Sequence, residues 1–350
     1  MKVSVCMMVR NEEAILGRAL ASTLGLADEV VIVDTGSTDG TVQLAPDFGA
    51  IVIEGGDRRH KAQSRNQAAD ASTGDWTVVL DADEVIRDPQ AVRAFLEGTT
   101  AQAVYIRETF MDGDRPTLSF GQMRCWRRGT FAYRFRAHEV PLPTAGWGEI
   151  AHTELVWEHR PPQVDRSWKR EHMLMLLTMD VEENPGEPRP LYYLAREYMY
   201  LGAWWACIET TRKYLAVATE SDHERAEAFG LLATCYRQLK QHDQAHAWLH
   251  QAMAAQPESR AWPGLLAELY HEAGEHDRAA AYLRLALTLP RTGSGYLDER
   301  WYGSHIYDLL ARCLYYGGHV AEGLPFAEQA LALSPNDQRL KDNLEFFRRG

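Results

Sequence analysis

Two carboxylates, Asp81 and Asp83, follow a predicted strand and stand one residue apart. The strand is the apolar run at residues 76–80, which Gly74 and Asp75 precede. Carboxylates so placed need water, a cation or a partner group, because burying them unpaired is costly. Hard divalent cations take oxygen ligands and accept substrate phosphates in the same shell. The pair therefore predicts a metal site that holds a diphosphate, although Asp-x-Asp also occurs in solvated loops.

Polar residues follow two other predicted strands near the start of the chain. Strands are predicted at residues 2–8, 29–33, 51–53 and 76–80, and helices at 14–26 and 63–71. This alternation indicates a mostly parallel sheet with helices on both faces. Ligands of such sheets bind beyond the carboxyl ends of the strands. Asn11, Asp34 and Asp81 each follow a strand, so we predict that they lie along one edge of one sheet.

Three segments, residues 3–13, 31–41 and 74–84, carry a resemblance to a known family. In order and spacing they look like the motifs of family 2 glycosyltransferases, and the match covers roughly residues 1–160. The resemblance implies the GT-A fold, an α/β domain with a Rossmann-like mixed sheet. It also implies a nucleotide-sugar donor, a divalent metal (Mn2+ or Mg2+) and, usually, inversion at the anomeric carbon.

The resemblance also implies roles for individual residues. Asp34 would contact the nucleoside through the base or the ribose, Asn11 would bind the donor nucleotide, and Arg65 would lie near the nucleotide. Asp81 would reach the ribose or the metal, and Asp83 would bind the metal through the diphosphate oxygens. Many family members have a second acid where this chain has Thr35. From the residues alone, Asp34 could equally bond its own turn, and Arg65 could be an exposed helix charge.

An inverting transferase also needs a general base to deprotonate the acceptor. The pair His138-Glu139 resembles one found in lipopolysaccharide-core transferases and peptide S-glycosyltransferases, which form a subset of the family. We assign the base to Glu139, with His138 orienting it or touching the donor. The alternative is a His-Glu pair on a surface strand.

A histidine after the sheet is a common further metal ligand in transferases of this fold. His152 and His159 are the two candidates, and His159 is narrowly favoured. A lone histidine is, however, more often a structural residue than a ligand.

Composition points to a cytoplasmic enzyme. The net charge of −12 over 350 residues argues against nucleic acid as a partner. No apolar stretch approaches the roughly 18 residues that a transmembrane segment needs. A strand already begins at Lys2, so no signal peptide is expected. The five cysteines lack CxxC spacing and are expected to be reduced, buried thiols.

Strand patterns stop near residue 165, and helical periodicity continues to the end of the chain. Residues 241–245 and 275–279 are similar and stand 34 residues apart, as do 232–236 and 266–270. This period resembles tetratricopeptide repeats. We predict a glycosyltransferase domain at residues 1–165, a helical linker at 166–190 and a helical-repeat domain at 191–350.

The sequence thus predicts a metal-dependent, inverting hexosyltransferase that uses a UDP-sugar. The repeats favour a peptide or protein acceptor, and they could also form a homodimer surface. A lipopolysaccharide or another glycan is the alternative acceptor. A different alternative is a non-catalytic repeat scaffold with a degenerate nucleotide-binding domain.

Overall fold

The computed structural model describes residues 1–56, 59–161, 169–218, 222–291 and 299–349. The chain divides into two compact units, Met1–Pro185 and Gly186–Gly350. The first unit is α/β and the second is all-α. The predicted fold class is therefore confirmed.

The first unit alternates strands and helices before it becomes strand-rich. Its strands are β1 (Val3–Val9), β2 (Glu29–Asp34), β3 (Ile51–Glu54), β4 (Trp76–Val79), β5 (Glu84–Ile86), β6 (Ala103–Asp112), β7 (Arg115–Arg127), β8 (Phe131–Arg134), β9 (Val140–Pro143) and β10 (Ile150–His159). Its α-helices are α1 (Glu13–Ala21), α2 (Thr41–Leu44), α3 (Lys61–Ala71), α4 (Pro89–Gly98) and α5 (Lys169–Glu183), and a 3-10 turn covers Ala45–Phe48.

Among the described residues, eight strands form one mixed sheet in the order β3-β2-β1-β4-β7-β6-β10-β5. The first four of these strands are parallel to one another. β7 runs antiparallel to both of its neighbours, β4 and β6. Because β1, β2 and β4 are adjacent and parallel, their carboxyl ends lie along one edge, as the sequence predicts.

Both faces of the sheet are covered, which explains why β1 is apolar almost throughout. Val5 and Met7 pack with Leu16 of α1 on one face. Cys6 points to the other face and packs with Ala68 of α3. All five cysteines of the chain are buried free thiols, as predicted.

Helix α1 is shorter than the predicted 14–26, because it ends at Ala21. After Ala21 the N–H groups of Thr23 and Leu24 bond the carbonyls three residues earlier, and the hydroxyls of Ser22 and Thr23 donate to the carbonyls of Ala19 and Leu20. Gly25 then takes a φ of 88° in the turn that leads to β2.

In the second unit, consecutive helices pack against each other as helical hairpins. The helices are α6 (Pro188–Tyr200), α7 (Trp204–Val217), α8 (Asp222–Gln238), α9 (His242–Ala255), α10 (Ala261–Glu272), α11 (His276–Thr288), α12 (Ser304–Tyr316), α13 (Val320–Leu333) and α14 (Gln338–Arg349). Small side chains at Ala245 and Ala279 are fully buried between helices. None of the described helices is both long enough and apolar enough to cross a lipid bilayer.

Candidate active site

The loops after β1 and β2 are tied together at the carboxyl edge of the sheet. Asn11 has a φ of 54°. Its backbone N–H donates to Ser37 Oγ at 2.9 Å, and its Oδ1 accepts from the Thr38 N–H at 2.7 Å. Asn11 therefore fixes the loop that follows β2, and its predicted contact with the donor nucleotide would be made from this tied position.

Asp34 ends β2 and is almost fully buried. Its carboxylate accepts the backbone N–H groups of Gly36 and Ser37, each at 3.0 Å. Asp34 thus does bond the backbone of its own turn, which was the alternative that the sequence left open. A nucleoside contact by Asp34 stays a prediction, and it would be made by a carboxylate that the turn already holds in place.

Arg65, on α3, joins two of the predicted acids. Its Nη2 lies 2.8 Å from Asp81 Oδ1, and its Nε donates to Glu139 Oε1 at 2.8 Å. The guanidinium also lies over the ring of Tyr133, 5.3 Å from the centroid. Burial alone would lower the pKa of Arg65, but Asp81 and Glu139 hold it well above its ordinary value. The side chain is only 9% exposed, so it is not the exposed helix charge of the alternative interpretation.

Nη1 of Arg65 is buried and makes no hydrogen bond within the part of the chain that the structure describes. Buried donors of this kind are rare in folded proteins, because an unpaired N–H in a low-dielectric site is costly. Nη1 is therefore a donor whose hydrogen-bonding capacity is unused among the described residues.

Arg124, on β7, is a member of the site that the sequence did not reveal. Its Nη1 lies 3.5 Å from Asp81 Oδ2, and its Nη2 pairs with Glu84 and Glu108. Burial would raise the pKa of Asp81, but Arg65 and Arg124 hold it well below its ordinary range. A single arginine inside the apolar run 123–126 was the signal available in the sequence.

Asp83 lies against His159, the last residue of β10. His159 Nε2 is 3.0 Å from Asp83 Oδ2, and the backbone N–H of Arg160 donates to the Asp83 carbonyl at 2.7 Å. Burial would lower the pKa of His159, but the Asp83 carboxylate raises it overall. Glu108 Oε1 stands 3.8 Å from the other ring nitrogen, Nδ1.

His152 lies elsewhere on the same strand. Its ring is exposed and stacks on Tyr105, with the ring centroids 4.8 Å apart. Of the two candidate histidines, His159 is therefore the one that contacts Asp83.

Asp83 and His159 have side chains of the types that ligate divalent ions. Here Asp83 Oδ2 and His159 Nε2 lie 3.0 Å apart, at hydrogen-bond distance from each other. Glu108 lies on the Nδ1 side of the His159 ring. In many metal sites a carboxylate stands on that side of a histidine whose other nitrogen binds the metal. Among the described residues, no three His, Cys, Asp or Glu side chains are grouped to hold a metal. A metal here would need its remaining ligands from a diphosphate and water.

His138 and Glu139 lie between β8 and β9. His138 has a φ of 49°, which places it in the left-handed region. The Glu139 side chain is 9% exposed and reaches Arg65. The predicted base and the predicted Asp81 therefore meet at one guanidinium, at its Nε and Nη2 atoms, although they stand 58 residues apart in the chain.

The first unit is thus a mixed α/β sheet with acids at the carboxyl ends of its parallel strands, and the second unit consists of helical hairpins. Residues 4–146 match the model of glycosyl transferase family 2. Residues 226–259 and 264–292 match the tetratricopeptide repeat. The chain thus has a family 2 glycosyltransferase domain at its N-terminus and tetratricopeptide repeats towards its C-terminus.

Several known proteins are similar to parts of this chain. A TPR repeat-containing protein of Synechococcus elongatus is 46% identical over 83 residues, which cover 24% of this chain and 21% of that protein. An uncharacterized glycosyltransferase of Rickettsia typhi is 39% identical over 83 residues, covering 24% and 28%. The chain thus spans between a fifth and a third of the length of these two relatives.

A longer match is the lipopolysaccharide core biosynthesis glycosyltransferase LpsC of Rhizobium meliloti. It is 29% identical over 231 residues, which cover 58% of this chain and 82% of that protein. Among solved structures, a thermophilic TPR protein of Thermus thermophilus aligns with a TM-score of 0.39 and 23% identity, covering 52% of this chain and 92% of that one.

Proposed function

We propose that this protein is a metal-dependent glycosyltransferase that moves a sugar from a UDP-sugar to an acceptor with inversion. The observation that carries the proposal is the position of Arg65 between Asp81 and Glu139. The arginine fixes a donor-side acid and a candidate base relative to each other, and displacement at the anomeric carbon would depend on such positioning. The match of residues 4–146 to family 2 glycosyltransferases supports the same function.

Donor binding would use the residues at the sheet edge. Asn11 would bind the donor nucleotide, Asp34 would contact the nucleoside, and Asp81 would contact the ribose. The unpaired Nη1 of Arg65 would donate to a phosphate oxygen. A metal held by Asp83 and His159 would neutralise the charge that develops on the leaving diphosphate.

Glu139 would act as the general base. Arg65 bonds its Oε1, so Oε2 is the oxygen that would take the proton from the acceptor. As the proton leaves, the acceptor atom attacks the anomeric carbon from the face opposite the diphosphate. The bond from that carbon to the diphosphate oxygen breaks, and the electron pair leaves with the nucleotide.

We propose a peptide or protein as the acceptor, which the repeat unit would help to bind. The observation in favour is the match of residues 226–259 and 264–292 to tetratricopeptide repeats, a module that commonly binds polypeptides. A glycan is the second candidate, because LpsC, the relative aligned over 231 residues, is named for lipopolysaccharide core biosynthesis.

The test is an acceptor comparison with full-length protein, Mn2+ and a panel of UDP-hexoses. One arm contains a mixture of unstructured peptides with Ser, Thr, Cys and Asn, and the other contains a lipopolysaccharide core oligosaccharide. UDP release and a mass gain of one hexose on a peptide would support the first candidate, and a gain on the oligosaccharide would support the second. No UDP release in either arm would contradict the transferase and favour a binding scaffold.

A further inference from the structure

The turn that leads into Glu139 is strained. Phe135 and His138 have φ values of 75° and 49°, a region that residues other than glycine seldom adopt. Such conformations persist only where the surrounding structure holds them in place. Something outside the turn must therefore stabilise residues 135–138.

Asp180, on α5, supplies that support. Its Oδ1 accepts the backbone N–H of Arg136 at 2.8 Å, and its Oδ2 accepts the N–H of Ala137 at 3.1 Å. The Asp180 side chain is buried. Hydrogen bonds to an ionised acceptor are stronger than neutral ones, so one carboxylate secures two consecutive peptide groups inside the strained turn.

Two other contacts fix the same turn from its sides. The Arg136 guanidinium forms a two-point ion pair with Glu183, also on α5, at 2.9 and 2.6 Å. The Arg136 carbonyl accepts the N–H of Lys61 at the start of α3, the helix that carries Arg65. The turn is therefore held between α5 and α3.

We infer that Asp180 is a positioning residue, which holds the 135–138 turn so that Glu139 meets Arg65. The chain of contacts runs from Asp180 through the turn to Glu139, and from there through Arg65 to Asp81. Asp180 lies beyond residue 146, where the family match ends. The catalytic part of the inference rests on the proposed function, whereas the structural part does not.

Hydrogen exchange tests the structural part. In Asp180→Ala, amide exchange across residues 134–139 should speed up by about tenfold or more, because two charge-assisted hydrogen bonds are lost. Asp180→Asn keeps an acceptor and should give a smaller increase, which provides a second variant if the alanine variant does not fold. Asp70→Ala is the matched control, since Asp70 is an exposed acid lining the same groove between α3 and α5. Unchanged exchange in a folded Asp180 variant would overturn the inference.

Donor hydrolysis tests the catalytic part. With UDP-hexose and Mn2+, Asp180→Asn should lower kcat for UDP release by about tenfold and leave the KM for the sugar nucleotide unchanged. A smaller folded fraction would also lower the apparent kcat at an unchanged KM, so kcat is calculated from the concentration of folded enzyme, which is measured by circular dichroism. Faster exchange with an unchanged kcat would overturn the catalytic part. If the wild-type protein releases no UDP, the proposed function fails, and hydrogen exchange alone decides the structural role of Asp180.

Discussion

Arg65 is the residue on which the geometry of the site depends. It is buried, and it pairs with Asp81 through one nitrogen and with Glu139 through another. A guanidinium can do this because its donors lie in a rigid planar fork, which a lysine cannot reproduce. The third nitrogen, Nη1, is buried and has no hydrogen-bond partner among the described residues.

Glu139→Gln tests the assignment of the base. Glutamine keeps an oxygen for Arg65 Nε but cannot take a proton at neutral pH. We expect kcat for glycosyl transfer to fall by about 10²–10⁴-fold, with nucleotide binding retained. The measurement is steady-state UDP release together with nucleotide affinity.

Glu154→Gln is the control for that variant. It also neutralises a glutamate that pairs with an arginine, but on the exposed surface of β10. Full turnover in a folded Glu139→Gln protein would exclude Glu139 as the base.

The residues of the site differ in how far the sequence predicts them. Asp81, Asp83 and Glu139 stand in recognisable local motifs, and the position of Asn11, Asp34 and Asp81 along one sheet edge could be anticipated from the strands that they follow. Arg124 and Asp180 have no such motif. Each matters because of a partner distant in the chain, and only tertiary packing brings those partners together.

At the scale of elements, alternation of strands and helices predicts the sheet well. The continuous apolar runs of β1, β2 and β4 reflect burial on both faces, and their parallel pairing follows from the helices between them. The end of α1 could not be predicted from its apolar spacing, which continues to Leu24, because the backbone changes to i→i−3 bonds after Ala21 and Gly25 turns the chain with a φ of 88°.

Glu29 ties three elements together at the edge of the sheet opposite the site. Its carboxylate accepts from Lys2 Nζ and Thr73 Oγ1, each at 2.8 Å, and from Ser4 Oγ. These contacts join β1, β2 and the loop before β4. Burial opposes the ionised form, but the hydrogen bonds lower the pKa of Glu29 from 4.5 to about 2.

This arrangement predicts a pH-dependent contribution to stability. The folded-state pKa is depressed, so the contribution is fully present above pH 4.5 and is lost as the pH falls towards about 2. Urea unfolding should show that Glu29→Gln is destabilised at neutral pH and that its difference from wild type shrinks in acid. Glu97→Gln, which removes an exposed i,i+4 pair with Arg93, should cost little at either pH. A pH-independent difference for Glu29→Gln would contradict the role of the ionised carboxylate.

At the scale of the whole molecule, the change from strand to helix patterns in the sequence corresponds to the change from the α/β unit to the all-α unit. The 34-residue repeat appears directly as the helix pairs α8–α9 and α10–α11. The match to tetratricopeptide repeats over residues 226–259 and 264–292 confirms that part of the prediction. The metal, the donor and the acceptor are properties of ligands that the chain would bind, so they stay predictions.

Thermal unfolding with UDP and UDP-hexoses, with and without Mn2+, tests the central claim most directly. The proteins compared are wild type, Asp83→Ala and the control Asp112→Ala, which removes an exposed acid of the β6–β7 hairpin. A ligand at about 100 times its Kd stabilises by roughly 2.7 kcal/mol, which should raise the midpoint by about 5–10 °C. We expect a shift that needs Mn2+, persists in Asp112→Ala and disappears in Asp83→Ala. No shift in wild type, or an equal shift in Asp83→Ala, would contradict it.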